Sequence, residues 1–430
     1  MKQLAERLVA RGHAVTVATT ALPERRFPEL NGVRIQEFAV SGNLAHGMKG
    51  DLERYRRFVA EQDFDVVMIK AAQQWTFDAL WPVLDRIRGG KIFIPCGFSS
   101  LYEPQYAAYF EQLPAVLGRI DHLIFYSTDY RDIRFVKDCG LTNFSILTNG
   151  ASETEFGVRR RSAFRKRCGL SEEDLLFLTV GSPARMKGHY EIADAFLRAD
   201  FSGRAATLVL NGGASPAQSE RTVSKTVGVK IQEYWDVVRD VERQEGAVSA
   251  VTYMGHGILN KLGVRAGRYV RQAGTVHDSQ RNELQCTINE IHGQKNGKRV
   301  LVANLPRREL VEAYMDADLF VFASYVEYSP LVLFEAAAAG TPFLSVPVGN
   351  AVEIADWTGA GVICPAPQDE RGYTKVDPQL FAEQWTSLVR DRARLRRMGE
   401  IGKENWAARF TWDKITDQYE ALFQKVAACV

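Results

Sequence analysis

The sequence has no run of 18 or more apolar residues, and its first residues lack the apolar core of a signal peptide. That excludes an apolar spanning helix and leads to the expectation of a cytoplasmic protein. Histidine is scarce, with seven residues and no H-x-x-x-H or H-E-x-x-H pair. The six cysteines (Cys96, Cys139, Cys168, Cys286, Cys364 and Cys429) lie far apart and form no C-x-x-C. Neither a zinc knuckle, a redox pair nor another local metal site is legible, and a reducing compartment is expected. Net charge is also nearly absent at +2, which gives no electrostatic case for nucleic acid as the principal partner. No G-x-G-x-x-G follows a strand, so a dinucleotide-dependent oxidoreductase lacks its fingerprint.

What is present is an α/β pattern on a two-domain scale. A chain of 430 residues exceeds what one hydrophobic core usually serves. Short apolar runs alternate with amphipathic segments, as in parallel strands covered by helices. Ala14–Thr20, Phe64–Lys70, Lys91–Pro95, His122–Tyr126 and Phe144–Leu147 read as strands, and Lys2–Arg11 as a helix with Leu4, Leu8 and Val9 on one face. Thr148–Asn149–Gly150 is a turn signal. A second series follows at Leu175–Gly181, Ala206–Leu210, Arg299–Ala303, Leu319–Ser324, Phe343–Val346 and Gly361–Cys364. The expected division is 1–155, 156–405 with an insertion at about 213–298, and a terminal segment 406–430. Within the insertion, Trp235–Arg243 and Leu259–Arg271 read as helices. Domains of this kind usually open on a strand and a glycine-rich turn, whereas this chain opens on a helix, so the first strand and that loop are expected to be missing.

The stretch Ala317–Asn350 carries the chemistry. A buried strand ends at Ser324, and a helix is expected to start at Ser329–Pro330, with serine as N-cap and proline in the first turn. It stops at Gly340, with Pro342 just beyond. The N–H groups of Leu331, Val332 and Leu333 would then face the carboxyl end of a strand and attract phosphate. Glu327 and Glu335 bracket this place. Eight helical residues cover about 12 Å, wider than the roughly 5–9.5 Å of a glycosidase pair. That span suits a nucleotide sugar, with one carboxylate on the ribose hydroxyls and the other on the hexose.

Glu327 and Glu335 fit the E-x7-E motif of retaining family-4 glycosyltransferases, and S-P-L…E-A-A-A-A-G-T-P around them is similar to that family's sequence. The resemblance implies a GT-B fold: two Rossmann-like domains facing a cleft, with a C-terminal helix crossing back to the first. It also implies that Glu335 holds the ribose, Glu327 the transferred sugar, and Ser329, Pro330 and Leu331 the phosphates. In Thr179–Tyr190, Lys187–Gly188 resembles the family's K-G, whose lysine neutralises the departing diphosphate. Gly181 and Ser182 would line the donor; Ser182 stands where the family has arginine, and Arg185 is expected to supply that charge. Leu4–Thr19, Ile146–Phe156 and Phe410–Leu422 resemble the family's first helix and strand, its interdomain junction and its terminal helix. Cys96 and Gly97 stand on the acceptor side, where the family often has histidine.

The implied reaction moves a hexose-type sugar from a nucleotide diphosphate sugar to a saccharide or lipid-linked acceptor, with retention, no cofactor and no metal, in bacterial surface polysaccharide synthesis. The basic run Arg159–Arg167 is a candidate contact with the inner face of the membrane. A nucleotide-sugar epimerase and a catalytically impaired nucleotide-binding protein of the same fold are the alternatives.

Overall fold

The computed structural model describes residues 1–157, 163–182, 184–212, 283–294 and 296–429. The helices expected at Trp235–Arg243 and Leu259–Arg271 lie outside the described residues, while residues 283–293 are helical.

Among the described residues, the first half holds three sheets. Strand β1 (Thr16–Thr20) runs parallel to β3 (Val33–Phe38), which pairs antiparallel with the short β2 (Glu29–Leu30). A hairpin of β4 (Val40–Asn43) and β5 (Gly47–Gly50) follows. Then β6 (Val66–Lys70), β7 (Gly90–Ile94), β8 (His122–Phe125) and β9 (Phe144–Ile146) form a parallel sheet in sequence order. Among the described residues, no hydrogen-bonded strand pair joins β1 to β6.

Among the described residues, the second half is one six-stranded sheet. It contains β10 (Leu175–Val180), β11 (Ala206–Asn211), β12 (Lys298–Ala303), β13 (Leu319–Phe322), β14 (Phe343–Ser345) and β15 (Gly361–Ile363), in the order β12-β11-β10-β13-β14-β15. All five pairings are parallel. Parallel strands covered on both faces read as unbroken apolar runs, and β10 and β13 are buried almost throughout. Phe177 of β10 meets the fully buried Trp385 edge-on, ring centroids 4.9 Å apart, a geometry that adds about 1 kcal/mol to the burial itself. Winding reverses between β10 and β13. The carboxyl ends of those two strands are therefore the topological switch point, where open α/β sheets bind ligands.

The chain crosses between the halves twice, side by side. Ala151 donates its N–H to the Phe410 carbonyl at 3.0 Å and bridges Thr411, and Trp406 Nε1 donates to the Ala151 carbonyl at 3.1 Å. A Cβ on Gly150 would collide with the Phe410 carbonyl, so only glycine lets the two crossings touch. The second crossing falls at Phe410–Thr411, because the helix Arg392–Arg409 runs unbroken past residue 405. Thr411 then caps the last helix, Trp412–Ala427. That helix lays Ile415, Tyr419, Leu422 and Val426 on Ile92, Ile94 and Ile124 of the first half, beside Leu4 and Leu8.

Part of the basic run is not a free patch. Residues 158–162 lie outside the described residues, but Arg165 is buried and pairs with Asp318 at 2.6 Å. Arg167 pairs with Glu312 at 2.6 Å. These two cations bind the short helix Ala163–Arg167 to its own domain, as burial demands of a charge that must be paired. Among the described residues, no helix is long and apolar enough to cross a membrane.

Candidate donor site at the switch point

Lys187 follows β10 and Glu327 follows β13. Lys187 Nζ lies 2.6 Å from Glu327 Oε1, and Ser324 Oγ stands 3.0 Å from the same oxygen. The lysine is delivered by a single 3₁₀ turn, Arg185–Lys187, closed by Gly188 at φ +70°. A Cβ on Gly188 would run into the Ala323 carbonyl, so the turn is pressed against the end of β13. Ser324 Oγ and Tyr325 N–H both donate to the Met186 carbonyl, at 3.0 and 2.8 Å, which locks the two strand ends together. Gly181 sits directly beneath, since a Cβ there would lie 3.0 Å from Lys187 Cβ. His189 is buried behind the lysine with Nε2 unpartnered; burial first, then the Lys187 charge, lowers its pKa to about 4, so it is neutral.

The helix Leu331–Ala339 starts one residue later than a serine cap predicts. Pro330 occupies the cap position with ψ 109°, which is extended, and Ser329 Oγ is buried without a partner rather than capping. The Pro330 carbonyl takes the Leu333 N–H at 3.2 Å. Two donors, Leu331 and Val332 N–H, therefore remain where three were expected. Leu331 itself is exposed at this helix start.

Glu335 lies one turn into that helix, its side chain only 16% exposed, and Arg307 Nη2 donates to its Oε1 at 2.7 Å. Arg307 also grips Glu155 with Nε and Nη2, both at 2.8 Å. Nothing in the sequence pattern pointed to Arg307, which reads as an ordinary residue at the start of the helix Arg307–Asp316.

Arg185 does not join the Lys187–Glu327 pair through any contact among the described residues. Its Nη2 is 3.6 Å from Glu191, its Nη1 3.3 Å from Glu283, and it lies over the Tyr190 ring. Glu191 is buried and also accepts from the Tyr325 hydroxyl, so it draws the guanidinium to its own side. Ser182 is half-buried next to Gly181.

Across the cleft, Cys96, Gly97 and Phe98 all have positive φ, at 61, 92 and 47°. Strain of this kind persists only where the surroundings dictate it, and here they do. A Cβ on Gly97 would press at 3.1 Å on the rings of both Tyr130 and Tyr328, and the Gly97 N–H donates to the buried Asp132 at 2.8 Å. Burial pushes the Cys96 thiol up to about 11, so it is not a thiolate, and pushes Asp132 up to about 6.

Sequence reasoning missed the side chains that join the halves here. Tyr328 stands next to Glu327 and accepts the Tyr126 N–H at 3.0 Å. The Tyr130 hydroxyl donates to the Glu327 carbonyl at 2.9 Å, and Asn350 Nδ2 to the Tyr126 carbonyl at 2.8 Å. Glu353 accepts from Ser127 Oγ at 2.6 Å and from Thr128 N–H at 2.9 Å. Tyr126 to Tyr130 and Glu327 to Glu353 thus close one mouth of the cleft. Aromatic and polar residues in loops carry no periodicity that would announce such a role.

Residues 273–405 match the family model Glycosyl transferases group 1. D-inositol 3-phosphate glycosyltransferase of Nocardia farcinica (strain IFM 10152) is 36% identical over 107 residues, 25% of this chain and 22% of that protein. N-acetyl-alpha-D-glucosaminyl L-malate synthase of Bacillus anthracis is 33% identical over 110 residues, 26% of each. The chain thus spans about a quarter of the length of these relatives. Among solved structures, sucrose-phosphate synthase from Thermosynechococcus elongatus superposes with TM-score 0.65 at 17% identity, covering 100% of this chain and 93% of that one. Anabaena Alr3699/HepE, solved in complex with UDP and glucose, gives TM-score 0.62 at 13% identity, covering 98% and 94%. The chain therefore has the GT-B fold, and its residues 273–405, which include Glu327 and Glu335, are similar to the glycosyl transferases group 1 family.

Proposed function

We propose that this protein is a retaining, family-4-type glycosyltransferase that moves a hexose-type sugar from a nucleoside diphosphate sugar to a saccharide or lipid-linked acceptor. One observation carries the reading: Lys187 and Glu327 meet at the switch point, eight residues before Glu335 on the helix that follows. Lys187 and the N–H groups of Leu331 and Val332 supply positive potential for the diphosphate, without a metal. Glu335 takes the ribose and Glu327 the sugar. Gly181 and Ser182 line the donor, and Arg185 stands in the same 3₁₀ turn as the lysine, two residues before it. Cys96–Gly97 belongs to the acceptor wall. A cytoplasmic place in bacterial surface polysaccharide synthesis fits a nucleotide-sugar donor. Of the solved neighbours, HepE was crystallised with UDP and glucose, which supports a uridine donor as the first to try.

In this reading the bond from the anomeric carbon to the diphosphate oxygen breaks as the acceptor hydroxyl bonds to the same face. The leaving oxygen takes the acceptor's proton, and Lys187 neutralises the charge that remains. The chain contributes alignment and water exclusion rather than a strong nucleophile.

The test is thermal shift with UDP, GDP, ADP and their common sugar conjugates. Stabilisation by one nucleotide, lost in Glu335→Gln, is the expected result. Equal stabilisation of parent and variant would move the donor site elsewhere. A second reading, a GT-B protein that binds nucleotide without efficient transfer, is favoured by Ser182 and by Arg185 turned to Glu191 and Glu283. Measuring donor consumption with and without saccharide acceptors separates the two, and an epimerase would convert donor with no acceptor at all.

A further inference from the structure

The short helix Glu153–Phe156 lies at the junction between the halves and presents two carboxylates in two directions. Glu153 pairs with Arg7 on the first helix of the chain. Glu155 is gripped by Arg307 with Nε and Nη2, and the same Nη2 reaches on to Glu335 Oε1 at 2.7 Å. The guanidinium also sits 5.7 Å from the ring centroid of the fully buried Phe156. Its plane is thus fixed from two sides before it meets Glu335. A guanidinium held by a bidentate pair is a rigid donor, because little rotamer freedom remains to be lost when it makes one more bond.

Glu335 is constrained in turn. One oxygen is committed to Arg307. The fully buried Tyr314 hydroxyl, on the helix that Arg307 opens, stands beside the same carboxylate, and its acidity is suppressed by burial and then by the Glu335 charge. A guanidinium on one oxygen and a buried hydroxyl beside the carboxylate together hold Glu335 in one orientation. Arg307 likewise holds Glu155 below the ordinary carboxylate range.

We propose that Arg307, anchored by Glu155, is the positioning residue for Glu335: it fixes one carboxylate oxygen so that the other is presented to the ribose hydroxyls of the donor nucleotide. This rests on the donor-site reading above. Arg307 touches neither sugar nor phosphate in this arrangement and acts only through Glu335. Discrimination between ribose and a ribose lacking its hydroxyls would then depend on a residue outside the E-x7-E motif.

Calorimetric titration of the full chain tests this, with UDP, GDP and ADP as probes, followed by the 2′,3′-dideoxy form of the nucleotide that binds. The parent should prefer the ribonucleotide by about tenfold or more, as for loss of a hydrogen bond to a charged group. Arg307→Ala should erase most of that preference while leaving dideoxynucleotide affinity unchanged. Glu155→Gln, which keeps the arginine and the fold, should reduce it partly, and Arg307→Lys should rescue only part. A loss of affinity equal for both nucleotides would overturn the proposal, because it would mean a phosphate contact or general damage. An undiminished preference in Arg307→Ala would also overturn it. If the parent binds none of the three nucleotides, the donor-site reading itself fails; if it binds them without ribose preference, only the role of Glu335 and its support fails.

Discussion

Lys187 Nζ and Glu327 Oε1 are 2.6 Å apart, although 140 residues separate them in the chain. Both side chains are largely withdrawn from water, at 30% and 19% exposure, so each neutralises the other in a place of reduced screening. A diphosphate entering this place would compete with Glu327 for the lysine. Lys187→Ala should therefore lower kcat by 100-fold or more while changing nucleotide affinity less, because the charge it offsets grows only as the glycosidic bond breaks. Steady-state kinetics with the donor found in the nucleotide panel checks this. A fall in affinity with kcat unchanged would assign the lysine to ground-state binding.

Gly188 is the second handle on that turn. Alanine there meets both a positive φ and the Ala323 carbonyl, so Gly188→Ala should cost about 2–3 kcal/mol and displace Lys187. Urea unfolding should show the loss, and nucleotide stabilisation should vanish with it. A variant of parental stability that still binds would contradict the close packing of the turn on β13.

Glu353 holds the far mouth of the cleft by accepting from Ser127 and Thr128. Each hydrogen bond to a charged acceptor is worth about 1.5–3 kcal/mol. Glu353→Ala should release this contact, and solution scattering should report a larger radius of gyration without loss of secondary structure. An unchanged scattering profile would show that Tyr328 and Asn350 suffice to keep the mouth closed.

Asp78 is buried, accepts from the Tyr109 hydroxyl and the Leu44 N–H, and has its pKa pushed up to about 6 by burial. The folded state thus binds this proton more tightly than the unfolded chain, whose carboxyl titrates near 3.8. Its contribution is fully present below that pH and is lost as pH rises through about 6, for a total of about 2–3 kcal/mol. Asp78→Asn should therefore flatten the fall in stability between pH 4 and 6.5, measured by urea unfolding across that range. A parallel fall in parent and variant would place the pH dependence in other groups, Asp132 first, whose carboxyl is raised in the same direction.

The second-half sheet was legible because its strands are covered on both faces, so that Leu175–Val180 and Leu319–Phe322 appear as plain apolar runs. β3 was not, since Val33–Phe38 has buried residues only at its ends and mixes charge between them. The start of the donor-side helix was misplaced by one residue for a definite reason. Proline's fixed φ suits both the cap and the first turn, and only ψ distinguishes them. Glu327, Glu335 and Lys187 were singled out by local sequence and by the E-x7-E and K-G resemblance, and Lys187 and Glu327 do meet. Arg307 was not, because its partners lie 152 and 28 positions away and no local pattern encodes a pairing across the junction. The same holds for Tyr130 and Tyr328, whose partners belong to the opposite domain.

The two crossings at Ala151 and Phe410–Thr411 touch along a single line. A body made of two halves joined at one edge has one cheap motion, a swing about that edge, like a book about its spine. Residues beside the spine, among them Asn149 with its amide on the Ser329 carbonyl, hardly move in such a swing. Ser127 and Glu353 make a separate contact between the halves. Turning the pages would therefore break the contacts of Glu353, Tyr328 and Tyr130 between the halves while keeping the seam at Ala151 and Phe410–Thr411.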